Sequence, residues 1–575
     1  MALNKSAKEK ILKFALKNAM DYGKAVEGAV ISKAIASDPL LKSDMKELVI
    51  EVKKTISEVN AMNRKKLDDA FSKYSDEFEK REMDKAIESA KHRFQIDGVE
   101  QGKFVTRFPP EPGGYMHIGH TKPVFIEDEL KRLYDGKAML YFDDTNPDNE
   151  RQEFVDAFHE DLEWLGVKFE GEYYASDNLP KFYAYADTAI RKKKAYVCTC
   201  DAETVNSNRG KGMGCAHKRH SVEKNLELWG EMLEGRTDVN GAILRLNSDM
   251  KALNTTLRDP TLFRIKKTEH YRQGMKYSAW PTYDFCTPIM DSTNGVTDVL
   301  RSKEYEMRDE LYFAVLDILE LRKPRITSFS RLEISGNVTS KRKVRQMIAD
   351  NVISGWDDPR LVTIRALRRR GIMPEAIRQF ALSFGMGKSE SSVPLEMLLS
   401  INRKMADKDA KRLFFVIEPF EIEISGIPES LRHVRMDFHP SGSMGHREYD
   451  IEDIVYIAKE DAKQLKKGDI IRLKGAFNLR IDGRKAGKTL ATFTEEKGEG
   501  MPTVQWVSKG NYSEGSLLMI NDLLVGDKLN KNSMYVVNGY VETHAGRFKE
   551  GDIVQFERIG MFKFDSRKDM SFISL

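Results

Sequence analysis

The stretch from Lys103 to Cys198 alternates strand and helix, and this alternation restricts the fold more than any other feature of the chain. KFVTRF is a short strand candidate rich in β-branched and aromatic residues. RFPPEPGGYMHIGHTKP follows, from Arg107 to Pro123, with four prolines, three glycines and two histidines. Its first half suits neither helix nor strand. The spacing then predicts a helix that opens near His117 or Ile118 and stops at Gly136. Pro123 is tolerable there because it sits near the first turn. AMLYFDD reads as an apolar strand ending in Asp143 and Asp144, NERQEFVDAFHEDLEWLG as an amphipathic helix, and AYVC as a further strand. This order predicts a Rossmann-type doubly wound parallel sheet. Such sheets bind ligands at the carboxyl ends of their strands, where the Pro/Gly loop and Asp143 fall.

The chain of 575 residues exceeds one hydrophobic core. A multidomain α/β + α + β organisation is expected. Residues 1–100, with SAKEKILKFALKNAMDYGKA and DDAFSKYSDEFEKREMDKAIESAKHRF, form a helical N-terminal extension. Residues 101–194 are the first half of the Rossmann domain and 276–344 the second, with strands at VTDVLR and RITSFSRL. The irregular stretch 195–275 is an insertion. Residues 345–415 are helical and basic. Residues 416–575 alternate short strands and turns, which predicts one or two β-barrels. No internal repeat stands out.

Four cysteines exclude a disulfide scaffold and fit a reducing, cytoplasmic setting. No run of about 18 apolar residues predicts a membrane span, and MALNKSAKEKILKF lacks the apolar core of a secretion signal. The net charge is only +4, yet RLVTIRALRRRG carries five arginines and no acid between Arg360 and Gly371. Arg365, Arg368, Arg369 and Arg370 are either a solvated helix face or a patch for a polyanion such as a nucleic acid.

A helix that opens after a Gly-rich turn offers free N–H groups and a positive dipole end to a phosphate. Gly113 and Gly114 let a phosphate approach the backbone closely, with Pro110 in the same nucleotide-binding loop. His117 and His120 lie about one turn apart on the same face, able to donate hydrogen bonds as charge develops on phosphate oxygens. Two surface histidines on a proline-rich loop are the alternative. Separately, Cys198, Cys200, Cys215 and His217 give C-x-C, fourteen residues, C-x-H. That set suits a closed, structural tetrahedral Zn²⁺ site, with His220 as a substitute fourth ligand. Unligated cysteines beside a basic loop are the alternative.

His117-Ile118-Gly119-His120 resembles the HIGH signature of class I aminoacyl-tRNA synthetases, and VTSKRK, with Ser340 and Lys341, resembles their KMSKS-like loop. RFPPEPGGYMHIGH, YFDDTNP, PTYDF and GWDDPRLVTIRALRRRG resemble the glutamyl/glutaminyl branch. The β-rich end and helical extension are similar to the archaeal-type glutamyl enzyme. The resemblance covers roughly residues 100–575. It implies ATP and Mg²⁺ as reactants, an aminoacyl-adenylate, and tRNA-Glu as acceptor. tRNA-Gln stays open as a second acceptor, and a monomer is implied. His117, Gly119 and His120 would contact the α-phosphate. Lys341, on a mobile loop shaped by Ser340, would neutralise the leaving pyrophosphate. Residues 195–275 would bind the acceptor end, 345–415 the tRNA stem and 416–575 the anticodon.

By the same resemblance, Arg107 faces the amino-acid side chain, Asp143 the α-ammonium group, and Tyr283 and Thr287 line the pocket. Asp144 would brace the loop. Trp280 and Asp284 would lie near the nucleotide or tRNA end, with core packing the alternative for Tyr283 and Trp280. Arg301 in VTDVLRSKE favours glutamate, because glutaminyl enzymes typically carry cysteine there. An ordinary strand-end arginine is the alternative. Asp298 and Ser302 depart from the commoner histidine and glycine, and RFPPEP and DDTNP are closer to glutaminyl text than to bacterial glutamyl text. A glutaminyl enzyme therefore remains the nearer rival, and a catalytically dead tRNA-binding protein the remote one.

Overall fold

The structure, a computed structural model, describes residues 5–42, 44–62, 64–74, 93–389, 391–485, 488–498 and 500–575. Two compact units emerge, Met1–Gln95 and Ile96–Leu575. In the first, the helices Lys5–Tyr22, Glu27–Ser37, Met45–Asn60 and Arg64–Ser72 enclose a core that includes Ile11, Leu16, Val30, Leu48 and Val52. Their buried residues recur at three- and four-residue intervals, as an amphipathic helix requires. Residues 75–92, expected as helix, lie outside the described residues.

In the second unit a parallel sheet carries the site. Strands β1 (Val105–Phe108), β2 (Lys137–Phe142) and β3 (Gly171–Tyr174) pair in parallel in that order. The strand AYVC is β4 (Ala195–Cys198), but it leaves this sheet. It pairs antiparallel with β5 (Ile243–Leu246), which continues through β6 (Thr261–Ile265) to β7 (Ala279–Pro281). All four residues of β4 are buried. A strand buried on both faces reads the same in either sheet, so its pattern does not reveal its partner. Strands β8 (Asp298–Ser302) and β9 (Arg325–Phe329) form a second parallel pair. Thr297 joins it to β1: its N–H donates to the Val105 carbonyl (2.8 Å) and its hydroxyl accepts from the Val105 N–H (2.8 Å). The strand order is thus 3-2-1-8-9. It reverses between β1 and β8, the place where such sheets bind ligands.

Beyond β9 come the helices Lys341–Ala349, Ile364–Arg370, Pro374–Ser383 and Leu395–Ala406. A short strand inside this helical region, Ser391–Pro394, pairs in parallel with Leu332–Ser335. Two seven-stranded, barrel-like sheets follow. The chain starts one at Lys411–Leu413 and Phe415–Ile417, builds the other from Pro419–Ser425 to Val507–Ser508, and returns to complete the first from Tyr512 onward. Each has its own core, around Trp506 and Leu479 in one and Phe556 and Phe572 in the other. None of the described helices is long and apolar enough to cross a membrane.

Candidate active site

The Pro/Gly loop leaves β1 and enters the helix Ile118–Leu133 through His117. The His117 N–H donates to Nδ1 of His120 (3.1 Å), and the Gly119 N–H donates to Nδ1 of His117 (3.1 Å). The two rings lie 3.9 Å apart, centroid to centroid. Because each Nδ1 accepts a hydrogen bond, each neutral ring carries its proton on Nε2, an assignment that follows from this network. The rings are open to the cleft on one side and enclosed on the others. Burial lowers His117 to about 3, with the charge of Lys341 adding to the shift. Burial also takes His120 well below the ordinary imidazole range. Both are neutral donors at physiological pH. A Cβ on Gly119 would sit 2.8 Å from Cε1 of His117, so only glycine leaves room for that ring.

Lys341 stands across the loop. Its Nζ donates to the Glu111 carbonyl (3.1 Å) and lies 3.6 Å from the Glu111 carboxylate. Lys341 is the first residue of the helix Lys341–Ala349 rather than part of an irregular loop, and Ser340 caps that helix. A Cβ on Gly114 would fall 2.9 Å from Cδ of Lys341, and the Gly113 carbonyl accepts from Arg345 (2.6 Å). These two glycines therefore let the lysine-bearing helix pack closely against the loop. The turn 521–533 of a C-terminal sheet braces the approach to this helix. The Leu524 N–H donates to the Gly336 carbonyl (2.9 Å), and Leu523 packs with Val338 and Val344.

Pro110, His117, Gly119, His120 and Lys341 line one cleft of ≈ 860 Å³, together with Arg107, Asp143, Tyr283, Asp284 and Arg301. That size suits a small-molecule site. Arg107 is 1 % exposed. Its Nε and one terminal nitrogen donate to the two Asp291 oxygens at 2.7 and 3.2 Å, and the other terminal nitrogen donates to the Leu300 carbonyl at 3.3 Å. Arg301 is buried and ion-paired to Asp309. Its Nε and Nη1 find no hydrogen-bond partner among the described residues. Burial and the nearby Glu111 push the Asp143 carboxyl up to about 6, while Arg264 pulls it back. An incoming ammonium group would restore its charge. Asp144 turns away, accepting from the Ser176 N–H and hydroxyl (2.7 Å each) and from the Tyr271 hydroxyl (2.9 Å), which anchors the loop.

Two expected neighbours fall outside this cleft. Thr287 is buried beside Cys286 in the helix Tyr283–Thr293, behind the wall. Trp280 is fully buried in the core of the β4–β7 sheet, 4.8 Å from the His270 ring, so core packing describes it. Other cleft residues carried no local sequence signature, among them Lys122, Glu127, Glu150 and Arg264. Glu127 offered one clue: it is a charge set among Val124, Phe125, Ile126 and Leu130, all buried on its helix.

The arginine run is only partly free. Arg365 and Arg368 share Glu160 at 2.8 and 2.9 Å, and Arg369 pairs with Asp357 and Asp565. Glu160 and Asp565 come from distant segments, and Asp357 lies just before the run. Arg370 is 3 % exposed, and burial lowers it to about 10. It is removed from any surface patch. In the insertion, the ligand atoms of Cys198, Cys200, Cys215 and His217 all lie within 4.8 Å of one another. The sulfurs of Cys198 and Cys215 are 3.7 Å apart, and His217 Nδ1 lies 3.4 Å from Cys200 Sγ and 3.8 Å from Cys198 Sγ. Those are the edge lengths of a tetrahedron with bonds of about 2.0–2.3 Å, as Zn²⁺ requires. His217 rather than His220 completes the set.

The catalytic-domain profile of tRNA synthetases class I (E and Q) matches residues 103–407. Anti-codon binding domain profiles of the same class match 410–494 and 503–565. The chain is 37% identical over 577 residues to the glutamate–tRNA ligase of Nitrosopumilus maritimus, covering 99% of this chain and 100% of that one. Glutamate–tRNA ligases of Cenarchaeum symbiosum and Pyrococcus furiosus are each 36% identical. They cover 96% and 98% of this chain and 97% and 98% of their own. With its catalytic and both anticodon-binding regions matched in order, and nearly its whole length shared with archaeal relatives, the chain belongs to the class I tRNA synthetases of the E and Q type.

Proposed function

We propose that this protein joins L-glutamate to the 3′ end of tRNA-Glu in two ATP-dependent steps. One observation carries the choice of glutamate: Arg301 lines the cleft, and its Nε and Nη1 have no hydrogen-bond partner among the described residues. A carboxylate satisfies such a group, and a neutral amide does so less well. Asp143 suits the α-ammonium group. In the first step the α-carboxylate oxygen attacks the α-phosphorus of ATP, and the bond to the bridging oxygen breaks to release pyrophosphate. The Nε2–H groups of His117 and His120 donate to the α-phosphate oxygens as charge builds, and Lys341 stabilises the leaving pyrophosphate. Mg²⁺ enters with the nucleotide. In the second step a terminal ribose hydroxyl of the tRNA attacks the adenylate carbonyl and AMP leaves. By resemblance to the branch, activation requires bound tRNA.

Arg365, Arg368 and Arg369 are then contacts for the tRNA backbone, whose phosphates exchange with the present carboxylate partners. Glutaminyl transfer is the alternative reading, since the entry loop is closer to glutaminyl text than to bacterial glutamyl text. Charging assays that cross glutamate and glutamine with tRNA-Glu and tRNA-Gln decide the matter. Glutamate on tRNA-Glu is the expected product. Robust glutamine charging without glutamate charging contradicts the reading. Charging of tRNA-Gln with glutamate would widen the acceptor set.

The Cys198, Cys200, Cys215 and His217 cluster holds a structural Zn²⁺ that fixes the insertion; four protein ligands leave no place for a reactive water. Protein purified without chelator contains about one equivalent of zinc, and less than about a tenth of an equivalent rules the site out.

A further inference from the structure

We propose that Glu127 is a specificity-determining residue of the amino-acid site, its carboxyl O–H donating a hydrogen bond to the side-chain carboxylate of the bound amino acid. The inference rests on glutamate being the substrate and adds how it is selected. Glu127 lines the cleft from the helix Ile118–Leu133 and is 0 % exposed. Neither of its oxygens has a hydrogen-bond partner among the described residues. Buried polar atoms are nearly always bonded, so such a group in a cleft wall points to a ligand.

Charge decides its protonation. The groups facing it are Arg107 on β1 and Asp291 on the helix Tyr283–Thr293, with Tyr283 and Tyr312 around that pair. Lys122, on the same helix, is taken up by the carbonyl and hydroxyl of Ser330 (2.7 and 2.9 Å). Arg107 is balanced by Asp291, and Arg301 by Asp309. An ionised Glu127 would set a second negative charge beside the substrate carboxylate, with Arg301, already ion-paired to Asp309, as the cation the two would share. Burial instead pushes its carboxyl well above the ordinary range, with Arg107 opposing and Asp291 adding to the rise. The neutral acid is a donor to glutamate. Once ionised it repels glutamate and becomes an acceptor for the amide N–H groups of glutamine.

The test is steady-state activation of glutamate and glutamine by wild type, Glu127→Gln and Glu127→Leu, from neutral to alkaline pH with saturating tRNA. In wild type, the KM for glutamate rises about tenfold per pH unit above the ionisation of Glu127, and preference over glutamine falls. Glu127→Gln, whose amide donates at every pH, shows a flat KM over the same range. Glu127→Leu raises the glutamate KM by about tenfold at neutral pH, leaving the KM for ATP unchanged. A Glu127→Gln profile that rises like wild type overturns the proposal, as does an unchanged glutamate KM in folded Glu127→Leu. If the leucine variant does not fold, the glutamine variant decides alone. Failure of wild type to activate glutamate at all would strike the reaction itself; normal activation with indistinguishable pH profiles strikes only Glu127.

Discussion

Replacing Lys341 with alanine lowers the rate of adenylate formation by about a hundredfold or more, with little change in stability. The side chain lies across Gly114 at the rim of the cleft, held among the described residues by the Glu111 carbonyl and a carboxylate at 3.6 Å. A partly exposed pair of this kind contributes little to folding. In the transition state, however, the ammonium group meets charge moving onto pyrophosphate, and bound substrates displace water from the cleft. There a fixed cation matters far more than in solvent. Single-turnover activation with bound tRNA measures the effect. The loss falls on the rate, because the group acts on charge that appears only during reaction. An unchanged rate removes Lys341 from the chemistry.

Replacing Asp291 with alanine has the largest effect on stability, about 3–5 kcal/mol, the cost of stranding a buried arginine. Burial works against the Arg107 charge, and the two Asp291 contacts outweigh it and hold the guanidinium above its ordinary pKa. Tyr312 also donates to Asp291 (3.0 Å), so the carboxylate ties together β1 and two helices. The denaturation midpoint of the catalytic region falls accordingly. A paired change, Arg107→Met with Asp291→Leu, recovers much of that stability, because an apolar pair of similar volume avoids the desolvation cost. It does not restore glutamate activation. If Asp291→Ala melts like wild type, the buried pair does not hold this part of the sheet.

The local signals in the sequence were strong where backbone geometry itself serves the chemistry. Ser340 and Lys341 stood out only by resemblance and were expected on a loop rather than at a helix start, whereas the Pro/Gly loop and the paired histidines had a chemical reading from their residue types. The cysteine cluster was legible for the same reason. Long-range pairing was less so. β4 was readable as a strand, but not as the first strand of a separate antiparallel sheet. The two C-terminal sheets read as one alternating run because the chain leaves one, builds the other and returns. The arginine run looked unbalanced because its partners Glu160 and Asp565 lie about 200 residues away on either side. Asp291 and Glu127 are acids set among mostly apolar buried residues of their helices. Such a residue signals a buried polar group, but its partner is set by packing that no local pattern encodes.

The central claim is that one cleft holds the nucleotide at the imidazole pair and the acidic amino acid at the arginine floor. A crystal structure with a non-hydrolysable glutamyl-adenylate analogue tests it most directly. The account predicts phosphate oxygens within hydrogen-bonding reach of Nε2 of His117 and His120, and the side-chain carboxylate against Arg301. An analogue bound elsewhere, or lying in the cleft with its carboxylate turned away from Arg301, would contradict it.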